Sequence, residues 1–136
     1  MTVSFLCRTI SSFLQWSLLP TFKCWYSQFR SPEEYREDSP LTEKIDVYSL
    51  GNIFWQLLTK SEDLFPDTSK HDAIKAVKRG HIQVEKEFED SLNEQELAVL
   101  TAKKMCQRMD PLKRSTAMEV EQYLRSKLEE FNVQQY

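Results

Sequence analysis

The sequence predicts an irregular all-α bundle. Three observations carry this. Apolar residues recur at helical spacing along most of residues 45–131, side chains able to cap a helix stand before two of those runs, and no run alternates apolar with polar residues as a half-buried strand does. The sequence contains no internal repeat and no low-complexity tract. Its 136 residues are enough for one domain with a core of its own.

Taken in order, residues 1–28 differ from everything that follows. They hold Phe5, Leu6, Ile10, Phe13, Leu14, Trp16, Leu18, Leu19, Phe22, Trp25 and Tyr26, with Arg8 and Lys23 as the only charges. Arg8, Ser11, Ser12, Gln15 and Pro20 interrupt the run, and a membrane helix wants about twenty unbroken apolar residues. No basic leader or small-residue cleavage site marks a secretory signal. Three readings stay open: attachment to a membrane through residues 5–26, a packed helix, or sequence foreign to the fold.

Residues 30–44 carry Pro32 and Pro40 and read as a loop with at most a short helical turn after Pro32. A helix is expected over 45–59. Val47, Leu50, Phe54, Leu57 and Leu58 lie on one face while Tyr48, Ile53 and Trp55 load the others, so this helix should be central and buried by neighbours on several sides. Residues 60–70 form a loop around Pro66, and a short helix over 72–79 presents Ile74 and Val77 before ending at Gly80. Asn93-x-x-Glu96 reads as a capping box for a helix over 94–109, with Ala98, Ala102, Met105 and Met109 inward and Lys103, Lys104 and Arg108 on a solvated face. Thr116-x-x-Glu119 caps the last helix, 116–131, whose inner face is Ala117, Val120, Leu124, Leu128 and Phe131.

The formal net charge of −3 argues against a nucleic-acid partner, which a domain usually meets with a clear excess of Lys and Arg. Three cysteines, Cys7, Cys24 and Cys106, are odd in number and widely spaced, so neither a closed disulfide framework nor a zinc site is indicated. A reducing, cytoplasmic compartment fits best, with membrane association through the N-terminal segment as the alternative. Cys106 falls in a helical apolar pattern and should be a small buried residue.

Three short motifs stand in a fixed order. They are Ser31-Pro32-Glu33, then Asp46-Val47-Tyr48-Ser49-Leu50-Gly51, then Asp110-Pro111-Leu112-Lys113-Arg114-Ser115-Thr116. Together they resemble the A-P-E, D-x-W/Y-S-x-G and D-P-x-x-R-x-T motifs of the large helical lobe of eukaryotic protein kinases. The resemblance covers roughly residues 29–131 and implies a partial kinase domain over 29–136. It implies a buried ion pair between Glu33 and Arg114, where the alternative is two unrelated surface charges. Asp46 would cap the central helix, a place a carboxylate also suits because of the helix dipole and free N–H groups. Phe29, Arg30, Ser31 and Pro32 would form a peptide-facing segment.

The family binds ATP and Mg, but the parts that do so have no counterpart here. A phosphate-covering loop needs several glycines so that backbone N–H groups can approach the phosphate, and this chain has only Gly51 and Gly80. Neither follows Asp-Phe, and His71 and His81 precede Asp72 and Ile82, so D-F-G and H-R-D are both missing. No cofactor or metal is expected to bind this chain. The resemblance implies a kinase-domain fragment, inactive alone, whose full-length parent transfers the γ-phosphate of ATP to protein Ser, Thr or Tyr. The alternative is a non-catalytic, pseudokinase-like module that binds a protein, and an unrelated helical protein is the third reading. With part of the lobe missing, Tyr48, Trp55 and some of Ile53 or Leu57 should lack partners, so self-association or a protein partner is expected.

Overall fold

The computed structural model describes residues 29–61, 63–80 and 86–133. The apolar segment 1–28, and with it the three readings of residues 5–26, lies outside the described residues. Every regular element described is helical: α1 Pro32–Arg36, α2 Lys44–Thr59, α3 Lys70–Arg79, α4 Lys86–Asp90, α5 Glu94–Cys106 and α6 Ala117–Val133. No helix among the described residues is long and apolar enough to cross a membrane.

Local chemistry sets most helix ends. Asn93 accepts from the Glu96 N–H at 2.9 Å while the Glu96 carboxylate accepts from the Asn93 N–H at 3.0 Å. Thr116 and Glu119 make the same reciprocal pair before α6, and Ser69 accepts from the Asp72 N–H before α3. The Asp72 carboxyl is held below its usual range by the Ser69 hydroxyl, and that of Glu119 by the N–H and hydroxyl of Thr116. Gly80 ends α3 with φ +73, its N–H bonded to the Ala76 and Val77 carbonyls.

α5 lies between α2 and α6, and α1 packs against α3. Two clusters form the core among the described residues. Tyr48, Leu64, Phe65, Ala73 and Val77 make the first, with Phe29, Tyr35, Trp55 and Ala76 packed against it. Val47, Ala102, Cys106 and Val120 make the second, flanked by Leu50, Phe54, Met105, Tyr123 and Leu124. α2 contributes to both, which makes it the central helix.

As expected, Ile53 and Leu57 of α2 are left open, 37 % and 65 % exposed. Other sequence expectations need correcting. Tyr48, expected to lack partners, is buried in the first cluster. On α6, Val120 is buried but Ala117, at its first position, and Leu128, towards its end, are exposed. Lys103 is not on a solvated face. It is 2 % exposed, because α2 covers that side of α5 and the lysine amine lies 4.9 Å over the Trp55 ring. α4 was not anticipated; Phe88 sets its ring edge-on to Trp55 at 5.3 Å, and Glu89 meets Lys104 at 2.9 Å.

Candidate functional site

The centre of the molecule is built on Arg114. Asp110 shapes the turn that delivers it: the Asp110 carboxylate accepts from the Leu112 N–H at 3.0 Å, and its carbonyl accepts from the N–H groups of Lys113 and Arg114 at 3.1 and 3.0 Å. On the other side, Ser31 donates its N–H and hydroxyl to the Glu34 carboxylate at 2.8 and 3.0 Å. Pro32 supplies a preset φ for the first turn. The short helix α1 thus turns Glu33 inward.

The two side chains meet fork to fork, with Arg114 Nη1 donating to Glu33 Oε1 at 2.6 Å and Nη2 to Oε2 at 3.0 Å. Arg114 Nη1 also donates to the Lys44 carbonyl at 2.7 Å, and Nε to the Arg108 carbonyl at 2.9 Å. Lys44 Nζ returns a bond to the Arg114 carbonyl at 2.5 Å. Arg114 is 1 % and Glu33 2 % exposed, and the guanidinium lies 5.1 Å over the Tyr48 ring. One side chain therefore joins α1, α2 and the turn between α5 and α6.

A second network holds the chain ahead of α1. The Phe29 carbonyl accepts from Ser49 Oγ at 3.0 Å and Asn52 Nδ2 at 3.3 Å, and Asn52 Oδ1 accepts from Gln107 Nε2 at 2.5 Å. Ser49 Oγ also lies 3.2 Å from the Ile45 carbonyl, so its one proton is shared between two acceptors. Gly51 sits where α2 and α5 touch; a Cβ there would come within 2.5 Å of Gln107 Cγ and 2.9 Å of Cys106 Cβ.

Asp46 does not cap α2. The helix begins earlier, with Glu43 at the cap position, because the Thr42 and Glu43 carbonyls already accept from Ile45, Asp46 and Val47 at 3.2, 3.1 and 3.4 Å. Asp46 lies within the first turn, still favourably placed against the dipole. Of the segment expected to face a peptide, only Arg30 is exposed. Ser31 and Pro32 are buried as the start of α1, and Phe29 packs against the first cluster. Arg30 instead edges an open depression of about 390 Å³ lined also by Glu33, Glu34, Glu37, Ser39 and Leu41.

The chemistry of this centre is that of a lock. Burial pushes the Tyr48 phenol up to about 12, with Arg114 lowering and Glu33 raising it, and burial likewise pushes the Cys106 thiol up to about 12. Neither ionises near neutral pH, so neither serves as a nucleophile there. The space beside Gly51 is filled by Gln107 and Cys106 and that beside Gly80 by Met109, and among the described residues no group of three His, Cys, Asp or Glu is gathered that could hold a metal ion.

Sequence reasoning missed Asn52 and Gln107. The available signal was an amide inside an otherwise apolar helix, which has to find a partner once buried. It also missed the carbonyls of Lys44 and Arg108, which no side-chain pattern announces. Compared with protein-family profiles and with curated proteins, the chain matches none.

Proposed function

We propose that this chain is part of the large helical lobe of a protein-kinase-family domain, inactive by itself, whose full-length parent phosphorylates protein Ser, Thr or Tyr. The observation that supports this reading is the Glu33–Arg114 pair. The segment that resembles A-P-E and the segment that resembles D-P-x-x-R-x-T meet across 81 residues in a bidentate, buried contact. The middle motif contributes beside it: Tyr48 lies under the guanidinium, Ser49 holds the Phe29 carbonyl and Gly51 admits α5. Three motifs that share one packing job support a common origin better than three separate coincidences. In this reading the chain works through a protein partner or a second copy of itself, in the cytoplasm, and takes no nucleotide.

Reading the transcript upstream of codon one tests the parent. An in-frame Gly-rich loop, H-R-D and D-F-G support it, and in-frame stop codons immediately upstream of codon one overturn it. Calorimetric titration of the chain with Mg-ATP tests the inactivity separately, because phosphoryl transfer depends almost wholly on the positioning and charge neutralisation that the missing motifs supply. No micromolar binding is expected, and finding it would overturn that part.

The pseudokinase-like alternative has its own supporting observation. Ile53, Leu57 and Leu128 are large apolar side chains left open to solvent, the kind of surface a binding module presents.

A further inference from the structure

Lys103 is buried with no anion to meet its charge. Its amine lies over the Trp55 ring of α2, and the residue keeps only 2 % of its surface in contact with solvent. Among the described residues no carboxylate lies within 4 Å of that amine and no acceptor takes a hydrogen bond from it, whereas the next residue, Lys104, is paired with Glu89 of α4 at 2.9 Å. A buried group with three N–H donors ordinarily finds acceptors. Here the face of one aromatic ring is the whole of its company.

These surroundings favour the uncharged amine. From α2 the group facing it is the neutral Trp55, from α4 the Glu89 carboxylate is taken by Lys104, and Lys104 is the charged neighbour whose field it feels. Burial first and Lys104 second push Lys103 down from 10.5 to about 8. At about pH 7.5 roughly one quarter of such amines are uncharged, against about one in a thousand for an ordinary lysine. A desolvated lysine in that form is a nucleophile. Whatever reacts with it has to be small, because so little of the residue is open, and apolar, because Trp55 and the Phe88 ring set edge-on to it form the local wall. Carbon dioxide is both.

The geometry points to Lys103 Nζ as a modification site that takes up carbon dioxide as a carbamate. The amine lone pair attacks the carbon, one C=O π pair moves onto its oxygen, and the nitrogen gives a proton to solvent, leaving an N–COO⁻ group. Nothing is oxidised or reduced, and the proton alone departs. Burial opposes the charge of the carbamate as it opposes that of the ammonium, so the neighbour decides. Lys104 repels the ammonium and attracts the carbamate. The side chain passes from +1 to −1, which makes the α4–α5 corner a charge switch set by dissolved carbon dioxide. Kinase ancestry plays no part in this.

The test uses the full chain equilibrated with carbon-13 bicarbonate at about pH 7.5. Triethyloxonium then alkylates the carbamate oxygen, releasing diethyl ether, and the trapped, labelled ester is located by digestion and mass spectrometry. The Met1 α-amino group, ordinarily at about 7.7–8.0, checks the trapping in the same sample. Lys103 should be labelled at least tenfold more than Lys113, whose side chain is 76 % exposed in the turn before α6. In guanidinium chloride that preference should vanish, because it belongs to the folded surroundings. Lys104→Gln, at a half-exposed side chain whose loss the fold should tolerate, should lower the labelling of Lys103 at least threefold and leave that of Lys113 unchanged. Labelling of Lys103 no greater than that of Lys113 would overturn the proposal. So would a preference that survives unfolding, or one indifferent to Lys104→Gln.

Discussion

Arg114 is the residue whose removal should be felt most widely. Replacing it with alanine strands the Glu33 carboxylate, whose side chain is 3 % exposed, and also leaves the Lys44 and Arg108 carbonyls without their partner. Breaking a buried pair from one side costs about 3–5 kcal/mol, and each lost carbonyl contact adds about 1 kcal/mol. Arg114→Ala should therefore cost about 5–7 kcal/mol and Glu33→Ala about 3 kcal/mol, against a total stability of about 5–15 kcal/mol for a domain. The double variant should be little worse than Arg114→Ala alone, giving a coupling of about 2–3 kcal/mol and in any case above about 1 kcal/mol. Arg114→Lys should recover only part of the loss, since an ammonium cannot present two parallel donors to both carboxylate oxygens. Urea unfolding followed by far-UV circular dichroism measures each corner of the cycle. Strictly additive costs would mean that the two side chains do not meet in solution, and the reasoning about the lock would fail with them.

Two further outcomes follow from packing and from titration. Gly51→Ala should destabilise by about 1–3 kcal/mol or more, because its Cβ would press on Gln107 Cγ and Cys106 Cβ where two helix backbones meet; an unchanged urea midpoint would refute the close approach. Lys103 is pushed down from 10.5 to about 8, by burial first and by Lys104 second, so the unfolded chain holds this proton more tightly and stability should rise as pH climbs through 8. Between pH 8 and 9 the gain should be about 1 kcal/mol. Above pH 9 the trend should reverse, since the Cys106 thiol, ordinarily 9.0, and the Tyr48 phenol, ordinarily 10.0, are both pushed up to about 12 when folded. Lys103→Met should remove the rise and keep the fall, and should stabilise the protein at neutral pH by about 1–2 kcal/mol, the lysine desolvation being offset in part by the lost Trp55 contact. Urea midpoints across pH 7–11 for both proteins would show whether the rise belongs to this amine.

The elements most legible in the sequence are those whose ends are set by neighbours in the chain. The Asn93–Glu96 and Thr116–Glu119 boxes and the left-handed Gly80 depend on residues three or four positions away, so their chemistry is visible without knowing the fold. The start of α2 was read to within one residue, but its cap was assigned to Asp46 because the first turn is stabilised by the Thr42 and Glu43 carbonyls, and backbone carries no residue signature. α4 was invisible for another reason. It is a five-residue helix held by Phe88 on Trp55 and Glu89 on Lys104, both contacts with distant residues. Lys103 was misread because charge predicts exposure only until an aromatic ring and a covering helix offer the stem a dry surface. The Glu33–Arg114 contact was reached only through motif order, since nothing in either residue's local sequence points 81 positions away.

That separation also sets an order of events. Closing a loop of 81 residues costs about 4 kcal/mol of chain entropy before any contact is made. The helix pairs α2–α5 and α5–α6 lie closer along the chain and bury apolar area as they form. They should assemble first and create the slot between Lys44, Tyr48 and Arg108 in which the guanidinium waits. α1, a five-residue helix with little stability of its own, then docks last and brings the carboxylate. The Glu33–Arg114 contact should therefore form after the rate-limiting step. Its loss should let the native protein open faster while leaving the speed of folding nearly untouched, so that the pair governs how long the folded state lasts more than how quickly it is found.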